Sequence, residues 1–137
     1  MLHRCLHASL LLLLFCSLFL IPVATYGAAD HLLIGEVLYD PAATEPGAEW
    51  VELYNPTSSS VDLAGWAIRD NTSADPLPAF ILGPGQHLVI ASNEGDFRAA
   101  NPGFSASLVS LDGPIGNGLS NSGDVVSLVD GSGGIID

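Results

Sequence analysis

Glu49-Trp50-Val51-Glu52-Leu53-Tyr54-Asn55-Pro56-Thr57 decides the fold class of this chain. Its residues alternate with period two, which puts Val51 and Leu53 on one side of a strand and Trp50, Glu52 and Tyr54 on the other. Asn55-Pro56 closes the run, because proline removes a backbone donor. A strand buried on one face needs partners, and the flanking sequence supplies them.

Upstream, His31 to Tyr39 reads as a strand ended by Asp40-Pro41. Downstream come Val61-Asp62-Leu63, then Trp66 to Asp70 after Gly65, then Ala79 to Leu82 before the turn Gly83-Pro84-Gly85. His87 to Ser92, Leu108 to Leu111 and Asp124 to Asp130 follow, with a Gly/Asn/Ser loop from Gly113 to Gly123 and a last pair, Ile135-Ile136. One break interrupts the pattern. Ser92 or Asn93 can cap a single helical turn over Glu94 to Ala100, stopped by Asn101-Pro102-Gly103. Seven or eight short strands with turns between them predict an all-β, two-layer antiparallel sandwich. Trp50 and Trp66 are its large apolar anchors, and Gly65 suits a bulge or a close backbone approach.

The first 29 residues read differently. Arg4 gives a positive start, residues 8–21 hold only two serines among apolar side chains, and Pro22 precedes a small-residue stretch to Ala29. That is the order of a helical export signal cleaved after Gly27 or Ala29. The rival is an uncleaved anchor, but a spanning helix needs about 20 apolar residues and Pro22 comes too early. Phe15 before Cys16 argues against a lipoprotein cleavage box. We expect a signal peptide over 1–29, one domain over 30–137, and a secreted or cell-surface location.

Cleavage changes the chemistry. All fifteen acids lie from Asp30 onward, against Arg69 and Arg98, and the chain has no lysine. The formal charge of −12 thus becomes −13, and Cys5 and Cys16 leave with the signal. No disulfide or thiolate metal site is left, so stability must come from a packed core. So acidic a chain repels phosphate, which excludes nucleic acid as an expected partner.

Taken in order, the segments resemble the lamin tail domain, an immunoglobulin-like sandwich of nuclear lamins and of many secreted bacterial proteins. The residues that carry the likeness are Ile34-Gly35-Glu36-Val37, Tyr39-Asp40-Pro41, the 49–57 run, Val61 to Trp66, Leu88 to Ala91, and Leu119 to Asp130. Together they span about residues 32–137. The resemblance implies a binding module rather than an enzyme. It also implies a final strand that this sequence only begins at Ile135-Ile136, so we expect either a shorter relative or a fragment of a longer chain. Nuclear lamin tails are associated with DNA, and the charge argues against carrying that over.

Catalytic residues are not expected. His31 and His87 are the histidines after the signal, no serine sits in a Gly-x-Ser-x-Gly elbow, and a phosphate loop is impossible without lysine. No cofactor is expected other than Ca²⁺, whose candidate ligands are Asp40, Glu45 and Glu49 around one loop. Asp70, Asp75 and Glu94-Gly95-Asp96 raise the same question, and Asp130 to Gly134 has a calcium loop's glycines without its alternating acids. Asn71-Thr72-Ser73 is an N-glycosylation acceptor by pattern. The leading expectation is a non-catalytic exported sandwich that binds a protein or cell-surface partner through end loops or a strand edge. The rivals are an accessory domain of a secreted nuclease or phosphatase, and a calcium-dependent adhesion module.

Overall fold

The alternation of the 49–57 run becomes strand β2 (Trp50–Tyr54) of the computed structural model, which describes residues 29–42 and 45–137. Val51 and Leu53 are fully buried, and Trp50, Glu52 and Tyr54 are half-buried on the opposite face. The export signal lies outside the described residues.

On one side of β2 lies β1 (Leu33–Leu38), antiparallel, running from Leu33 opposite Tyr54 to Leu38 opposite Trp50. The register slips between Ile34 and Glu36. Gly35 sits in that bulge, where a Cβ would come 3.1 Å from Glu52 Oε1. On the other side, β7 (His87–Ala91) pairs antiparallel with β2.

Beyond β7 the structure departs from expectation. Strand β8 (Leu108–Ser110) runs parallel to β7, so the sheet is not wholly antiparallel. The cause is helix α1 (Glu94–Ala100), which carries the chain across between them. A parallel neighbour needs such a crossover. Asn93 caps this helix by accepting the Asp96 N–H at 3.1 Å, in line with the sequence reading. Its buried Phe97 packs edge-on against Trp50 and Phe104 in a small second core with Val89 and Ala91.

The facing layer has β4 (Ala67–Arg69) between β5 (Ala74–Pro76) and β9 (Ser127–Val129), all antiparallel. A short pair, β3 (Val61–Asp62) with β6 (Ile81–Leu82), extends the sandwich. Between the layers, Val51, Leu53, Leu88 and Ile90 meet Ile68 and Leu128, all fully buried. Trp66 packs against this main core from its margin.

Nine strands stand among the described residues, one or two above expectation. The strand absent from the sequence reading is β5, which contains Pro76. It lies at a sheet edge, where proline is tolerated. The last long strand is also shorter than expected: residues 124–126 stay outside β9. Asp124 takes the amide hydrogens of Asn71, Ser120 and Val125 on its own carboxylate, and such local bonds compete with a ladder. Gly65 forms no bulge but does meet backbone, since a Cβ on Gly131 would come 3.6 Å from Gly65 O. With φ +80 it closes the turn in which Trp66 N–H reaches Leu63 C=O at 3.0 Å. After Asp130, the chain turns back: Ile135 bridges Val129, and Leu128 exchanges backbone bonds with Ile136 and Asp137.

Candidate functional site

Strand β1 has a partner on one side only, and across from it Ile135 to Asp137 lie along β9. A groove of about 640 Å³ opens beside β1, floored by Ile34, Val37 and Val126 and walled by Tyr39 and the loop Leu119 to Asp124. The three floor residues are only partly buried, and Tyr39 is 48% exposed. At one end the Ile34 N–H, turned away from β2, donates to Asp137 Oδ2 at 2.7 Å. A side chain thus satisfies a backbone donor on the sheet edge, a place where another strand would ordinarily sit.

The loop that walls the groove has few ladder partners for its backbone, and buried N–H groups must be satisfied somewhere. Carboxylates from distant parts of the chain do this. Gly116 N–H donates to Asp75 Oδ2 at 2.5 Å, Asn117 N–H to Asp70 Oδ2 at 3.1 Å, and Leu119 N–H to Glu49 Oε2 at 3.1 Å. The Asn121 side-chain amide reaches Glu45 Oε1 at 3.0 Å, and Ser120 N–H reaches Asp124 at 3.3 Å. Gly116 stands at φ +63 with its α-carbon against Asp70, where a Cβ would collide with the carboxylate.

The two most buried of these acids respond oppositely. Burial pushes the Asp70 carboxyl up, but the amide hydrogens of Ser73, Thr72 and Asn117, with its own, outweigh it and hold the group below the usual carboxylate range. At Glu49 burial is again the largest influence, and only the Leu119 amide opposes it. The neighbouring charges of Glu45 and Asp124 add to burial, so Glu49 is held above its ordinary value.

The model of the lamin tail domain matches residues 26–137. The chain belongs to the lamin tail domain family. That family is one of non-catalytic, immunoglobulin-like interaction modules. No curated protein sequence matches the chain.

Within this lamin tail domain the calcium candidates take separate positions. Asp40 is exposed just past β1, Glu45 is exposed beside Asn121, and Glu49 is buried with one oxygen on Leu119. Among the described residues no three His, Cys, Asp or Glu side chains come together in a way that can hold a metal ion. Asp70 and Asp75 hold the groove loop, Glu94 pairs with Arg98 at 2.7 Å, and Asp130 accepts from Ser132 and Gly134 in its own turn. His87 bonds Glu52 at 2.9 Å and stacks on Tyr54 on the outer sheet face, while His31 pairs with Asp30. Asn71 is exposed in the β4–β5 turn.

Asp70, Asp75 and Asp124 went unread as loop anchors, and so did Asn55. Fully buried, Asn55 donates to Ser59 and Leu82 carbonyls and accepts from Thr57 twice. The available signal was the loop Gly113 to Gly123, whose many amide donors had no strand to pair with.

Proposed function

We propose that the mature lamin tail domain is an exported, non-catalytic protein-interaction or cell-surface attachment module, and that it engages its partner at the groove between β1 and the loop Leu119 to Asp124. The observation that carries this reading is the groove itself. It joins an apolar floor to a strand edge whose backbone donor is held by a side chain. Open strand edges are a recurrent mode of protein recognition, since main-chain bonds give affinity and alternate side chains give selectivity. The order of residues 1–29 supports export. Among the described residues, no helix is long and apolar enough to cross a membrane.

Two measurements test it together. The chain is expressed with its own N-terminus, and the exported product is sequenced from its first residue. It should begin at Ala28 or Asp30. The exported protein is then added to cells and sedimented with them, with Tyr39→Lys as the groove variant and the exposed Ser58→Lys as a control away from it. The reading predicts retention that the groove variant loses and the control keeps. Product held inside the cell with residues 1–29 attached would overturn export. Equal retention by all three proteins would overturn the groove.

A further inference from the structure

We propose that Asn117 is a site of self-directed covalent modification. Its carboxamide cyclises with the Gly118 nitrogen and is converted to aspartate or isoaspartate, which releases the loop from Asp70. The inference is independent of the groove and of whatever binds there.

Of the six asparagines, Asn117 alone precedes glycine. Cyclisation needs the next backbone nitrogen to reach the side-chain carbon, and a residue without a Cβ hinders that least. Most of the other carboxamides are engaged. Asn55 is buried between two carbonyls, Asn101 donates to Phe97, Asn93 caps α1, and Asn121 holds Glu45. Asn55 and Asn101 also precede proline, which has no N–H to give up. Asn71 is exposed, but the β-branched Thr72 follows it. Asn117 is exposed as well, and among the described residues only its backbone N–H is hydrogen-bonded.

The turn around it sets the timing. Gly118 N–H donates to Ile115 C=O at 3.0 Å, with Gly116 between them at φ +63. Gly118 must leave that acceptor and lose its proton before its nitrogen can attack. Asp75 holds the turn through Gly116 N–H, and Asp70 holds it through Asn117 N–H. The reaction therefore runs from the opened turn, and these two carboxylates decide how often it opens.

Water is the one co-reactant. The Gly118 nitrogen bonds the Asn117 side-chain carbon, the bond from that carbon to Nδ2 breaks, and ammonia leaves with the Gly118 proton. The attack is intramolecular and closes a five-membered imide, which favours it. Water then opens the imide at either carbonyl, giving aspartate or isoaspartate. Both products place a new carboxylate on the residue whose N–H Asp70 holds, in a chain already at −12. Like charges repel there. Isoaspartate also lengthens the main chain by one methylene, which takes Gly118 N–H off Ile115. The modified loop cannot close the same turn again.

The test is peptide mapping by mass spectrometry on the purified protein, held folded in mildly alkaline buffer and sampled over days. Asn117 should exchange amide for acid about tenfold faster than Asn71 or Asn121, with isoaspartate as the main product. Asp70→Asn weakens the anchor and Asp70→Ala removes it, so conversion should quicken in that order, by about threefold or more for the second. In concentrated urea wild type and both variants should share one rate, since no turn is left to hold. Leu88→Ala weakens the core beside Leu53 and should leave the folded rate unchanged. Aged wild type should melt lower than fresh protein. Asn117→Gln, whose longer side chain closes a ring far more slowly, should keep its Tm through the same incubation.

Conversion at Asn117 no faster than at Asn71, or unaltered by both Asp70 variants, overturns the proposal. Equal acceleration by Leu88→Ala makes global unfolding the route and overturns the role of the turn. Converted protein that melts with fresh protein overturns the release of the loop.

Discussion

Asp70 and Glu49 hold the same loop at two places, and the two places are built on different physics. At Asp70 one carboxylate collects several amide hydrogens, and each favours the charged form. At Glu49, beside the groove, one amide faces burial and two neighbouring acids. The first end gains from its charge and the second is strained by it. Stability has thus been concentrated at the end away from the groove, while the wall that a partner would touch is held by an ill-at-ease carboxylate and by the exposed Glu45–Asn121 bond. Elements that bind are drawn from the less stable parts of a fold.

The sharpest way to break this contrast is Asp70→Ala. It orphans the amides of Thr72, Ser73 and Asn117, and at about 1 kcal/mol for each unpaired donor the loss is roughly 3 kcal/mol in urea unfolding. The sign with pH follows from the lowered value. A carboxyl depressed in the folded state contributes stability above its ordinary range and loses it as pH falls through the folded value. Wild type and variant should therefore be far apart at pH 7 and draw together only in acid. If they remain equally separated at pH 2, the anchor is not electrostatic.

Gly116→Ala attacks the same end from the other side. A side chain at φ +63 is strained, and here it also displaces Asp70. We expect a loss of about 2 kcal/mol, within the range of about 1–3 for enforced backbone strain. Gly85, at the similar φ +69 with no atom within 4 Å of its added Cβ, should cost less on the same substitution. Thermal unfolding that ranked Gly85→Ala as the more damaging would remove Asp70 from the explanation.

At the groove end the expected sign reverses. Glu49→Gln keeps an acceptor for the Leu119 N–H and removes the buried charge beside Glu45 and Asp124. A carboxyl raised in the folded state supports folding below its unfolded value, and that support fades as pH climbs through the folded one. The variant should melt higher than wild type at pH 7, and the gap should close as pH drops below the ordinary carboxylate range. A lower Tm at pH 7 would mean that the charge itself holds the loop.

Much of the sandwich was legible because its signals are local. Val51 and Leu53 alternate with polar neighbours, Asn93 stands where a cap belongs, and Pro56 ends its strand. What escaped is non-local or depends on context. Pro76 reads as a breaker until its strand is known to lie at an edge. Asp124 reads as a strand residue until its carboxylate is seen taking amides from Asn71 and Ser120. Asp70 lies 47 residues from Asn117, and no spacing rule joins an acid to an amide that far along the chain. The groove was foreseen only as an unspecified strand edge, since β1 and the loop Leu119 to Asp124 must meet in space before a volume exists between them.

The smallest effect belongs to the exposed bond from Asn121 to Glu45. Both side chains face water, so Asn121→Ala exchanges one solvated contact for hydration and should change stability by under about 0.5 kcal/mol. Its value lies in separating two roles of the loop. If the wall of the groove is shaped by Glu49 and Asp124 from within, removing the outer bond leaves the position of Ser120 and Ser122 unchanged, and the amide shifts of Ile34 and Val37 should not move. If those shifts do move, the exposed bond also sets the groove, and the division between a firmly held end and a loosely held one fails where it matters for binding.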